Sequence, residues 1–165
     1  MFAVTGALGN VGFATSSALR QAGVPVRAIV RDAAKASRLR DMGCEVVVAD
    51  LQDSASLVRA IGDADAVQVI VPVHPEASDP AADLRYSCER IVAALREVRP
   101  KRALLISDYG AHVAADIGMP TLFREMEAGF LGLESHTLIL RSAEHMHNWA
   151  RIIPVALKAG KPGTA

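Results

Sequence analysis

The chain predicts an α/β fold, a doubly wound parallel sheet of about six strands in the order 3-2-1-4-5-6 with helices on both faces. Short, nearly continuous apolar runs such as Phe2-Ala3-Val4-Thr5, Val26 to Val30 and Glu45-Val46-Val47-Val48-Ala49 alternate with segments whose apolar residues recur at helical spacing. Strands buried on both faces read as such runs, and regular strand–helix alternation winds them into a parallel sheet through right-handed crossovers. A glycine-spaced turn, Gly6-Ala7-Leu8-Gly9-Asn10-Val11-Gly12, follows the first run directly, where such sheets bind phosphate.

Val11, Ala14, Thr15, Ala18, Leu19 and Ala22 form a helical stripe until Gly23 ends it. Val26 to Val30 is the second strand, and Asp32 can cap a helix over Ala33 to Met42 that stops at Gly43. After the β-branched run 45–49, Asp53 or Ser54 caps a helix through Ile61, and Ala66 to Val71 is a fourth strand closed by Pro72 and Pro75. Leu84, Cys88, Ile91, Val92 and Leu95 share one stripe, which predicts a helix over Asp83 to Val98 before Pro100. Arg102 to Ile106 is a fifth strand, Thr121 to Leu131 a helix ended by Gly132, and Thr137 to Leu140 a sixth strand. The segments 74–82 and 109–120 follow strands four and five, at the carboxyl ends where ligands bind.

Composition narrows the function. At 165 residues one domain covering 1–165 is expected. Eighteen basic residues balance eighteen acidic ones, so no overall field draws in nucleic acid or an anionic membrane surface. Charged residues interrupt every long apolar stretch, which argues against a membrane span or signal segment and for a cytoplasmic protein. Cys44 and Cys88 form no CxxC pair and are expected to remain thiols.

The glycines at 6, 9 and 12 allow a tight turn out of the strand, close backbone approach to a pyrophosphate, and contact between helix and sheet. The helix that starts near Asn10 directs backbone N–H groups and a positive dipole end at the phosphates. At the end of the second strand, an acidic residue would accept from a ribose 2′-hydroxyl, whereas arginine would pair with a 2′-phosphate. Arg31 stands there, so NADP(H) is expected ahead of NAD(H), unless Arg31 is an ordinary solvated charge. Asp32, next to it, reads better as a helix cap.

These segments together resemble the NmrA-like branch of the atypical short-chain dehydrogenase/reductases, which includes NADPH-dependent quinone reductases and azoreductase-like proteins. The carriers are Val4 to Gly12, Val26 to Asp32, Ala49-Asp50-Leu51-Gln52-Asp53 with Ser56-Leu57, Ser107 to Ala111, and Leu138 to Ser142 with His145 to Trp149 behind. The resemblance implies that Gly6 to Val11 hold the pyrophosphate, Arg31 the 2′-phosphate, Asp50 and Leu51 the adenine, and Val71-Pro72 the nicotinamide-side ribose. It implies Ser107, Tyr109 and Gly110 beside the nicotinamide, with Glu127, His145 and His147 shaping the substrate side. Read without it, Asp50 is a turn residue and Val71-Pro72 a strand end.

The chain also departs from the wider superfamily, whose members use a tyrosine acid with a lysine four residues later. Tyr109 is followed by Val113 at that spacing. Tyr86 with Arg90 has the spacing, but arginine is a poor lysine substitute, and Tyr86 reads as packing. Arg124 lies where relatives often carry lysine and equally reads as a solvated helix charge. The catalytic residue is therefore unknown, with Tyr109 the candidate. His145 and His147 share a face if their segment is strand-like, but no third ligand is evident and no metal is expected.

Relatives of this kind continue beyond the sixth strand, so the resemblance implies a shortened substrate region over 150–165. Trp149, Ile152, Ile153, Ala156 and Leu157 form an apolar stripe there, expected to be buried against the domain or in a homodimer or larger assembly. The function expected is hydride transfer from NADP(H) to a quinone-like acceptor. The alternative is a non-catalytic module that senses the dinucleotide.

Overall fold

The computed structural model describes residues 1–74, 76–143 and 145–160, apart from the side chains of His147 and Arg151. Six strands, β1 (Phe2–Val4), β2 (Val26–Val30), β3 (Glu45–Val48), β4 (Ala66–Val69), β5 (Arg102–Asp108) and β6 (His136–Ser142), form one sheet. All its pairings are parallel and its order is β3-β2-β1-β4-β5-β6, as the strand–helix alternation predicts. The helices are α1 (Asn10–Gln21), α2 (Ser37–Asp41), α3 (Ser54–Ile61), α4 (Pro80–Val98), α5 (Met119–Leu131) and α6 (Met146–Ala159).

Alternation along the strands sorts side chains into two cores. Val4, Val26, Ala28 and Val30 pack with Ala36 and Leu39 on the face that carries α1 and α2. Ala3, Ile29, Val67, Val69, Ala103 and Leu105 face the other way, against Leu57 of α3, Leu84, Ile91 and Leu95 of α4, and Phe130 of α5. The strand order reverses between β1 and β4, which opens a crevice above the carboxyl ends of these two strands.

Several boundaries differ from the sequence-based expectations for local reasons. The expected helix 33–42 is split into a 3₁₀ turn at Ala33–Lys35 and the short α2. The Asp32 carboxylate does cap, accepting from the Ala34 amide at 2.9 Å, but the turn it closes ends at Ala36, which sits outside helical geometry with Leu39 in the core. Strand β4 stops at Val69 because the Thr5 hydroxyl takes over both backbone groups of Ile70, accepting from its amide at 3.1 Å and donating to its carbonyl at 3.2 Å. Helix α4 starts three residues earlier than expected, since Asp79 accepts from the Ala81 and Ala82 amides and Pro80 occupies the first turn. Strands β5 and β6 run on together to the pair Asp108 and Ser142.

One expectation about packing is corrected and another is narrowed to one of its two alternatives. Tyr86 is half exposed, with the Arg90 guanidinium 5.1 Å above its ring, because its place on α4 faces away from the sheet. Trp149, Ile152 and Ile153 remain exposed on α6, so the apolar stripe is not buried within the chain. Leu138 and Leu140, on the face of β6 opposite α5, are exposed as well. Residues 161–165, the end of the expected carboxyl-terminal segment, lie outside the described residues.

Candidate dinucleotide site

The turn between β1 and α1 is built from its glycines. Gly6 has φ +61°, a left-handed conformation that a side chain would strain, and its carbonyl accepts from the Gly9 amide at 2.9 Å. A Cβ on Gly12 would lie 2.4 Å from the Gly6 oxygen and 2.8 Å from the Ala7 Cα. Bare backbone at position 12 is what lets the first turn of α1, containing Asn10, Val11 and Gly12, rest on the loop. Gly9 caps the helix without a side-chain hydrogen bond, and no acidic residue occupies the first turn. The positive end of α1 therefore faces a cleft of about 680 Å³ bounded by Gly6 to Gly9, Ile29 to Asp32, Leu51 and Ile70 to Pro72. A cradle that a Cβ would fill, at an uncapped helix N-terminus, fits a pyrophosphate.

Arg31 stands where this cleft joins a second pocket of about 330 Å³, lined also by Asp50, Leu51, Gln52, Pro72, His74 and Asp83. Asp50 accepts from the Gln52 amide at 2.9 Å, so it is the turn residue as well as part of the wall. Four further residues at this end of the crevice, Lys35, Gln52, His74 and Asp83, had no role assigned from the sequence. Lys35 lies on the cleft wall four positions after Arg31, with its ammonium 3.8 Å from the Asp32 carboxylate. His74 places Nδ1 2.9 Å from Asp83 Oδ2 and Nε2 3.3 Å from Arg31 Nη1. Gln52 donates to the other Asp83 oxygen at 2.7 Å. The hydrogen bonds from His74 and then Gln52 hold the Asp83 carboxyl below the usual carboxylate range. Lys35 was legible from its spacing to Arg31, whereas the His74–Asp83 contact needed the fold.

At the other end, Ile70 and Val71 are shared between the glycine cleft and a pocket of about 470 Å³. Ser107, Tyr109, Gly110, Phe123, His145 and Asn148 line this pocket. Tyr109 is 66% exposed and meets His112 edge-on at 5.8 Å between ring centres. Gly110 lets the chain pass close to Pro120, which a Cβ would approach to 3.0 Å. His145 precedes α6 and His147 lies within it, so the two do not share a strand face as expected. The side chain of His147 is outside the described residues.

Glu127 supports this pocket from behind instead of lining it. It is 4% exposed, and its carboxylate takes the Ser107 hydroxyl at 2.5 Å and the Arg141 guanidinium at 2.6 Å and 3.0 Å. Arg141 holds the Glu127 carboxyl below its usual range against the opposing effect of burial, with Ser107 assisting. Strand β5, helix α5 and strand β6 are tied together at their pocket ends by one charge. Arg124 donates to the carbonyls of Val113 and Ala115 and so anchors the loop before α5. A groove of about 490 Å³ between α4 and α5 shares no residue with these clefts.

No helix among the described residues is long and apolar enough to cross a membrane. Over 76 residues, 46% of this chain and 27% of the relative, the sequence is 37% identical to an NAD(P)H azoreductase of Xenophilus azovorans. The fold is similar to that of an NADPH-dependent quinone oxidoreductase of Escherichia coli in complex with NADPH, with TM-score 0.81 and 26% identity over 97% of this chain and 55% of that one. It is also similar to the triphenylmethane reductase of Citrobacter sp., with TM-score 0.77 and 26% identity over 90% of this chain and 50% of that one. The chain thus spans about half the length of these structural relatives and a smaller share of the azoreductase. A family model described as NAD(P)H-binding matches residues 6–163; with the glycine cradle and the strand order, this makes the chain a member of the NAD(P)H-binding family.

Proposed function

We propose that this chain is the NADP(H)-binding part of a reductase that delivers hydride to a quinone-like acceptor. The observation that carries the reading is the continuity of three clefts along the carboxyl edge of the sheet. The pocket at Arg31 leads into the glycine cradle, whose wall carries Lys35 and which leads through Ile70 and Val71 into the pocket beside Ser107 and Tyr109. An extended dinucleotide matches that path, with its 2′-phosphate at Arg31, adenine beside Asp50 and Leu51, and nicotinamide toward Ser107. Bound NADP(H) supplies the hydride chemistry. In this reading the glycine turn and the α1 dipole bind the pyrophosphate, Val71-Pro72 fix the ribose, and Gly110 and Phe123 shape the acceptor side.

Ser107 donates its hydroxyl hydrogen bond to Glu127, so toward a ligand its oxygen is left as an acceptor that positions and does not acidify. Exposed Tyr109 is the remaining candidate to touch an acceptor. Hydride transfer to a quinone leaves an oxyanion that solvent can protonate, so a buried acid is not required. The reading places the protein in the cytoplasm and gives α6 a role in a homodimer or larger assembly.

NADPH and NADH titrations of the chain, followed by NADPH oxidation across a panel of quinones, test the proposal. Tight NADPH binding with quinone-dependent oxidation supports it. Binding without turnover supports a second reading, a dinucleotide-sensing module, which is favoured by the commitment of Ser107 to Glu127 and by the exposure of Tyr109.

A further inference from the structure

We infer that His74, held by Asp83, is a second ligand for the adenosine 2′-phosphate and takes up a proton when NADP(H) binds. This deepens the reading of the Arg31 pocket and rests on it. Arginine only donates, so a 3.3 Å contact from Arg31 Nη1 to His74 Nε2 requires a lone pair on that nitrogen. The proton of a neutral ring then lies on Nδ1, where it is donated to Asp83 at 2.9 Å. His74 in this form anchors Arg31, and Asp83, braced by Gln52, anchors His74.

The charges around the imidazole decide what happens when a phosphate arrives. Asp83 on α4, Asp50 after β3 and Glu76 in the loop of His74 itself line the pocket, against Arg31 at the end of β2; Lys35 and Asp32 lie on the adjoining cleft. A dianionic phosphate entering among three carboxylates needs more positive charge than Arg31 provides. A protonated His74 would supply it. Once Arg31 turns to the phosphate, an imidazolium at position 74 donates Nδ1–H to Asp83 and Nε2–H to the phosphate. Without the phosphate, the same Nε2–H would point at a guanidinium. Both effects favour protonation in the complex over the free protein, and linkage makes NADP(H) affinity fall as pH rises. NADH carries only a neutral 2′-hydroxyl at this position and is insensitive.

Two measurements on the whole chain test the inference. NADPH and NADH dissociation constants are determined between pH 7 and 8.5, above the phosphate's own titration near pH 6, roughly. Calorimetry in two buffers of different ionisation enthalpy then counts protons taken up. The expected result is a three- to tenfold loss of NADPH affinity over this range, roughly, with NADH flat and proton uptake seen for NADPH alone. His74→Gln, which retains an acceptor for Arg31 but cannot gain a proton, should flatten the pH profile and abolish the uptake. Asp83→Asn should reduce both. A wild-type chain that prefers NADPH but shows a flat ratio and no uptake overturns the role of His74 while leaving Arg31 intact. Absence of any NADPH preference overturns both.

Discussion

Replacing the three glycines of the turn one at a time by alanine tests whether the cradle depends on backbone contact or only on a small residue. At Gly9 the added Cβ lies 3.3 Å from the Gly6 oxygen, and the residue has φ −76°, which alanine adopts freely. The slight crowding is offset by the roughly 0.4–1 kcal/mol that Gly→Ala contributes through the unfolded chain, so little net change is expected. At Gly6 the left-handed conformation costs about 1–2 kcal/mol, and the Ile70 Cγ2 atom, 2.6 Å from the new Cβ, must rotate away. The net loss there is about 1–2 kcal/mol after the same entropic gain. At Gly12 both obstacles, the Gly6 oxygen at 2.4 Å and the Ala7 Cα at 2.8 Å, are backbone. No rotamer relieves them, so helix and turn must separate. Overpacking of this kind costs about 1–3 kcal/mol or more, reduced by up to about 1 kcal/mol of helix propensity. Urea midpoints of the cofactor-free variants, read with NADPH titrations, should rank Gly12→Ala as most damaging, Gly6→Ala next and Gly9→Ala near wild type. Separation of the helix from the turn should also cost Gly12→Ala at least tenfold in NADPH affinity, about 1.4 kcal/mol. Equal stability and binding for Gly12→Ala and Gly9→Ala would refute the close-contact argument.

Arg31→Ala should weaken NADPH roughly ten- to a hundredfold and leave NADH nearly unchanged, as two charge-assisted hydrogen bonds to a phosphate are lost; equal weakening of both cofactors would make Arg31 a bystander. Lys35→Ala should act in the same direction by less, and the two effects should diminish together as salt rises, because Lys35 is largely exposed. Glu127→Gln should destabilise the fold at neutral pH and loosen Ser107. The folded Glu127 carboxyl lies below its usual range, so its contribution is complete above that range and disappears as pH falls through the folded value; the gap between wild type and variant should therefore close in acid. A gap independent of pH would mean that shape, not charge, holds the pocket wall. If α6 mediates assembly, Trp149 emission should shift to shorter wavelength as protein concentration rises; constant, water-exposed emission from a monomer would exclude that role.

The element types, the strand order and the glycine cradle were legible in the sequence because each depends on local patterning. Apolar strands alternate with striped helices, and the glycines mark the places where backbone must meet backbone. Arg31 was legible for a related reason, since a strand's end fixes which residue overlooks the crevice. Boundaries were less so: β4 ends where the Thr5 hydroxyl, 65 positions away, intercepts Ile70, and no local window contains both. The exposed stripe of α6 was visible as a pattern, but what covers it is not a property of pattern. Glu127 was singled out for the pocket wall, yet only packing shows its carboxylate buried between Ser107 of β5 and Arg141 of β6. The Arg31–His74–Asp83 chain was invisible for the same reason. Its members come from the end of β2, the loop after β4 and the start of α4, and they meet only because the crossover from β3 to β4 brings β4 beside β1, next to β2. Sequence thus determined which backbone forms the close-packed glycine turn, while tertiary structure alone decided which side chains share a proton or a charge, because such contacts depend on distances that folding sets between residues remote in the chain.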